Sequence, residues 1–141
     1  MSKQTSNKKK LKRTNNWRIK SLNILKNQSN EDDSDHAGLI ANCIRLRKKV
    51  LNDFTVEDLR LMIGQNETLI YLIPLALEEL DKNTLAEGDL FEGDLLTNVL
   101  NCDADYWKKD PDSLRKLKVL LARDKTRLDQ AGLAKDWFRR K

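Results

Sequence analysis

With 141 residues, 39% of them hydrophobic and 35% charged, the chain has room for one domain with a modest core. No window approaches the roughly 18 apolar residues of a membrane span, and no apolar run follows the basic N-terminus as a secretory signal requires. The net charge of +5 conceals a segregation: residues 1–29 carry +9, residues 30–52 are neutral, residues 53–105 carry −11, and residues 106–141 carry +7.

Such asymmetry speaks about partners rather than about fold. Cys43 and Cys102 stand far apart without a CxxC motif, which suits buried thiols in a reducing cytoplasm better than a disulfide or a metal pair.

In chain order, residues 1–16 are polar, basic and aperiodic, and read as disordered. The run KKKLKR (residues 8–13) has the composition of a nucleic-acid patch or a localisation signal, and equally that of a solvated tail. Trp17, Ile19, Leu22, Ile24 and Leu25 can dock as a short segment on the core. NQSNEDDSD (residues 27–35) is a linker by composition. The expected division is a flexible basic arm and linker over residues 1–35 and a helical domain over residues 36–141.

Helical spacing begins at Leu39 and continues through Ile40, Cys43, Ile44, Leu46, Val50 and Leu51. FTVEDLRLMIGQN (residues 54–66) places Thr55 as an N-cap with Asp58 three residues later, and Gly64 as a stop. NETLIYLIPLALEELDKN (residues 66–83) is apolar on nearly every side, the mark of a buried central helix. Pro74 inside it crowds the carbonyl of Ile70, so either the helix kinks or a new one begins there.

NTLAEGDLFEGD (residues 83–94) is a loop with two Gly-Asp turns, followed by a short helix carrying Leu95, Leu96, Val99 and Leu100. Residues 103–107 suggest a further turn. PDSLRKLKVLLARDKTRLDQ (residues 111–130) is expected to be one long amphipathic helix ended by Gly132, with Trp137 and Phe138 in a last turn. No run alternates with period two. The expected class is all-α, a compact bundle of five or six helices.

Several chemistries find no support. His36 is the only histidine, so a histidine metal set or a catalytic triad is ruled out. A twelve-residue calcium loop starting at Asp81 fails because Leu85 and Ala86 stand where an oxygen ligand and a glycine are needed. There is no Gly-rich phosphate loop, and the paired carboxylates sit on a loop without an evident cleft. The chain is therefore expected to be no enzyme and to use no metal and no cofactor.

Residues 54–100 resemble a bacterial family, the immunity proteins of contact-dependent growth-inhibition systems. The likeness is carried by Thr55-Val56-Glu57-Asp58-Leu59-Arg60, Ile63-Gly64-Gln65-Asn66, Tyr71 to Glu78, Leu85-Ala86-Glu87-Gly88-Asp89, and Gly93-Asp94-Leu95-Leu96. The resemblance implies a small cytoplasmic helical protein that binds and blocks the C-terminal toxin domain of a matching effector. It further implies that the toxin is commonly a nuclease, in one group RNase-like. The basic arm lies outside the resemblance, and Glu92 stands where relatives often have Pro.

A nuclease cleft is basic because it must hold a polyanion, so acidic residues suit its blocker. Glu87, Asp89, Phe91, Glu92 and Asp94 are accordingly the expected toxin-binding residues, with Asp89 and Asp94 also suited to fixing turns or capping the next helix. Asp103, Asp105, Tyr106 and Trp107 are the alternative surface. The competing function is a small all-α nucleic-acid-binding or adaptor protein using the basic arm and the cations of residues 108–127. The acidic middle disfavours it, since nothing resembles a helix-turn-helix with a basic second helix.

Overall fold

The computed structural model describes residues 12–133. Within them the fold is all-α, and the only extended pairing is one antiparallel bridge between Ser21 and Val50. Eight α-helices occur in the described residues: α1 (Leu22–Leu25), α2 (Gly38–Lys48), α3 (Val56–Gly64), α4 (Leu69–Lys82), α5 (Asp94–Leu100), α6 (Ala104–Lys109), α7 (Pro111–Arg123) and α8 (Lys125–Gln130). Short 3₁₀ turns at Trp17–Ile19 and Leu51–Asp53 complete the set.

The segment apolar on all sides is the centre. Leu72, Ile73, Ala76 and Leu80 of α4 are fully enclosed. Each enclosed leucine or isoleucine contributes about 1.5–3 kcal/mol relative to exposure. α4 packs on α3, α5 and α7, and α3 packs closely on α5. Helix α3 starts with a complete capping box, in which the Thr55 hydroxyl accepts from Asp58 N–H and the Asp58 carboxylate accepts from Thr55 N–H.

Helix α4 is continuous through Pro74, so no new helix begins there. Proline removes the donor that Ile70 C=O would otherwise receive one turn on. That carbonyl accepts from Arg13 Nε at 2.7 Å instead. The same guanidinium reaches Asp110 at 3.1 Å, so one arginine joins the start of α4 to the start of α7. At the other end Arg123 binds Asp81 at 2.7 Å. Helices α4 and α7 thus lie side by side and run in the same sense.

Part of the N-terminal segment lies on this core. Leu22 is fully buried, Leu51 N–H donates to Lys20 C=O, and the Trp17 ring packs 5.5 Å from that of Tyr71. Arg18 lies over the Trp17 ring and holds Glu78 by both guanidinium nitrogens.

The fold departs from the sequence expectations at several points. Leu39, Ile40 and Val50 are exposed, the last lying beyond the end of α2, while Cys43, Ile44 and Leu46 are buried. Gly64 is the last residue of α3 and Asn66 takes the positive φ; Gly64 instead gives room to Asn98, whose Nδ2 would lie 2.8 Å from an added Cβ. Residues 104–109 form a helix rather than a turn, capped by Asp103. The long C-terminal helix breaks at Asp124, whose carboxylate binds Thr84 and Arg123. Gly132 does end α8, at φ +74°. Trp137 and Phe138, and the arm before Lys12, lie outside the described residues.

Candidate functional site

The acidic loop follows α4. Its root is buried: Thr84, Leu85 and Ala86 are enclosed, the Thr84 hydroxyl donates to Asp124 at 2.8 Å, and Gly93 N–H donates to Leu85 C=O at 3.2 Å. Between these closures the chain rises into solvent and returns. Such a loop needs partners for its backbone N–H groups, and two carboxylates below it supply them.

Asp94, only 1% exposed, accepts from Gly88 N–H at 2.7 Å, Leu90 N–H at 3.0 Å and Phe91 N–H at 3.3 Å. Glu57, in the first turn of α3, accepts from Asp89 N–H at 2.7 Å. Four successive N–H groups, of residues 88–91, are thereby bound to two side chains. Arg60 secures both carboxylates. Its Nε and Nη2 donate to Glu57 at 2.7 and 2.6 Å, and Nε stands 3.8 Å from Asp94.

Gly88 makes the approach feasible, because a Cβ there would lie 2.5 Å from Glu57 Oε1 and 3.2 Å from Glu57 Cα. Gly93 meets a different need, with φ at +90° and Leu133 Cδ1 2.6 Å from where a Cβ would stand.

The electrostatics follow from these contacts. Arg60 hydrogen bonds hold the Glu57 carboxyl below its ordinary value, against a smaller effect of burial and with help from Asp89 N–H. At Asp94 burial alone would raise the value, but the three N–H donors and the Arg60 charge together outweigh it, and the group is lowered. Both are ionised at neutral pH.

The expected site residues therefore divide. Glu87, Asp89 and Glu92 are exposed, and among the described residues their carboxylates have no ion-pair partner. Phe91 is 47% exposed. Asp94 faces inward; it is the first residue of α5, and its side chain turns back to the loop instead of capping the helix that follows. Leu90, not singled out from the sequence, is 63% exposed and stands beside Phe91. Glu57 and Arg60 were also missed as parts of the site. The available signal was Arg60 itself, one of only two cations, with Lys82, among the thirteen acids of residues 53–105.

On the alternative surface, Asp103 caps α6 while Tyr106 and Trp107 are buried in the core. Of the eight cations of residues 108–127, four are matched by acids, with Lys108 on Asp105, Arg115 on Asp112, Arg123 on Asp81 and Lys125 on Asp129, while Lys109, Lys116, Lys118 and Arg127 form no ion pair among the described residues. Among the described residues no group of three or more His, Cys, Asp or Glu is placed to hold a metal ion. Nor is any described helix long and apolar enough to cross a membrane. Cys43 and Cys102 are free, buried thiols.

What remains is a small helical protein with a pinned, acidic, partly apolar loop, a build suited to binding another macromolecule. The family model described as CDI immunity proteins matches residues 23–117, from α1 into α7, with the whole loop inside the match. The chain belongs to the CDI immunity proteins, and is an immunity protein rather than an enzyme. No curated protein and no solved structure matches it.

Proposed function

We propose that this chain binds the C-terminal toxin domain of a CDI effector as a heterodimer and blocks it, that the toxin is a nuclease, with an RNase-like one the first candidate, and that the encounter takes place in the cytoplasm, where such a toxin meets its substrate. The observation that carries the reading is the loop tip. Leu90 and Phe91 are exposed on a pinned backbone, in a stretch that also carries the exposed carboxylates of Glu87, Asp89 and Glu92.

A basic cleft shaped for a polyanion attracts such a cluster of acids, and the apolar pair gains by leaving water. Asp94 takes part from inside, by shaping the loop. The nucleic-acid-binding alternative has less support, since half of the cations of residues 108–127 are paired with acids.

The test is Glu87→Lys with Glu92→Lys. Both side chains are exposed, so the fold should survive with a stability change of about 0.5 kcal/mol or less. Circular dichroism should be unchanged, while association with the toxin domain slows, its salt dependence weakens and protection of cells fails. A folded double variant that binds and protects like the parent protein across salt concentrations would overturn the reading.

A further inference from the structure

We infer that Glu57 and Arg60 are positioning residues for recognition, holding residues 88–91 in their binding shape before the toxin arrives; this rests on the reading of the loop as the toxin-facing surface. Neither side chain belongs to the tip. Glu57 sits on α3 and gives its carboxylate to Asp89 N–H, and Arg60, one turn on, fixes that carboxylate with two nitrogens. Arg60 is itself anchored, since its side chain is only 14% exposed and its C=O accepts from Asn98 of α5 at 2.8 Å. The loop is thus tied to α3 through a side chain from outside it, in addition to the tie that Asp94 makes to the start of α5.

The consequence is specific. With Asp94 alone, the N–H groups of residues 88, 90 and 91 keep a partner and that of Asp89 does not. Asp89 then lies between anchored neighbours with its own N–H unheld, so that its peptide can turn to other orientations. A loop that spends a tenth of its time in the competent shape binds about tenfold more weakly, because apparent affinity scales with the competent fraction. The effect lies in the free protein, so it is visible without any partner.

The charge of Glu57 could also act by steering a basic toxin, and the variants separate the two roles. Glu57→Ala removes charge and acceptor together; Glu57→Gln removes the charge but keeps an acceptor for Asp89 N–H. Amide hydrogen exchange of the free protein should show Asp89 exchanging about tenfold faster in Glu57→Ala, little changed in Glu57→Gln, with Ile63 and Leu72 unchanged in both. Binding to the inactivated C-terminal toxin domain of a CDI effector that this chain neutralises should weaken about tenfold in Glu57→Ala and much less in Glu57→Gln.

Unchanged exchange at Asp89 in Glu57→Ala overturns the inference. So does equal loss of binding in the two variants, which would assign Glu57 to steering. Leu90→Ser with Phe91→Ser tests the underlying reading separately. If that pair binds normally, the toxin-facing role of the loop falls; if it fails to bind while Glu57→Ala binds normally, only the positioning role falls.

Discussion

Two buried aspartates organise opposite ends of the α4–α7 pair, and they do so differently. Asp94 accepts mostly from backbone N–H groups a few residues before it, so its hydrogen bonds shape one exposed loop. Asp110 accepts from Ser113 N–H at the start of α7, from the Tyr106 hydroxyl and from Arg13, whose guanidinium also fills the gap left by Pro74. At Asp110 one carboxylate joins the α6–α7 junction to the distant N-terminal segment. At Asp94 it gives conformation to a surface. The difference teaches that similar burial of an aspartate can join elements at one end and shape an exposed loop at the other.

The comparison can be broken at its Asp110 end. Asp110→Ala leaves Tyr106 and Arg13 without their acceptor and α7 without its cap, and should cost about 3–5 kcal/mol in denaturant unfolding. A loss below about 1 kcal/mol would show that the junction is not a structural keystone. At the other end Asp94→Ala should cost less, about 1–3 kcal/mol, because the freed N–H groups of an exposed loop can turn to water. It should weaken toxin binding more than any change confined to the Arg13 end.

Acid sharpens the same contrast. Burial raises the Asp110 carboxyl, but hydrogen bonds from Tyr106 and Ser113 and the Arg13 charge bring it below its ordinary value. Asp94 and Glu57 are lowered too. A carboxylate lowered by folding stabilises fully above its unfolded value, near 4, and the contribution is lost as pH falls through the folded value. Stability should therefore hold at neutral pH and decline below about pH 4. Asp94→Asn and Asp110→Asn should each flatten that decline, and an unchanged acid limb in both would contradict the hydrogen-bond account. The smallest effect expected is that of Arg13→Ala, about 1 kcal/mol, since this side chain is a quarter exposed and its pair partly screened. Arg13→Lys should not restore it, because a single ammonium is poorly shaped to serve Ile70 C=O and Asp110 together.

Much of the fold was legible because its signals are local. The all-round apolar run of α4, the Thr55 and Asp58 capping box, and the Gly132 stop each depend on neighbours within a turn or two. Features set by distant partners were not. The leucines of residues 114–128 continue one period across Asp124, and the break there is made with Thr84, on another part of the chain. Asp94 stands where a helix cap belongs, and only the room at Gly88 and the nearness of Arg60 turn it back toward the loop. Arg13 has the composition of a solvated tail, and its role appears only once Pro74 and Asp110 are brought together. Of the loop residues, the exposed acids were readable as a charge pattern, while Glu57 was hidden because its contact crosses from α3.

The most direct measurement is amide hydrogen exchange of the protein alone and in complex with the toxin domain of a CDI effector that it neutralises. The account predicts new protection in residues 86–94, with residues 13–25 and the amides around Asp110 unchanged. Protection confined to the Arg13–Asp110 end, with the loop exchanging as in the free protein, would contradict it.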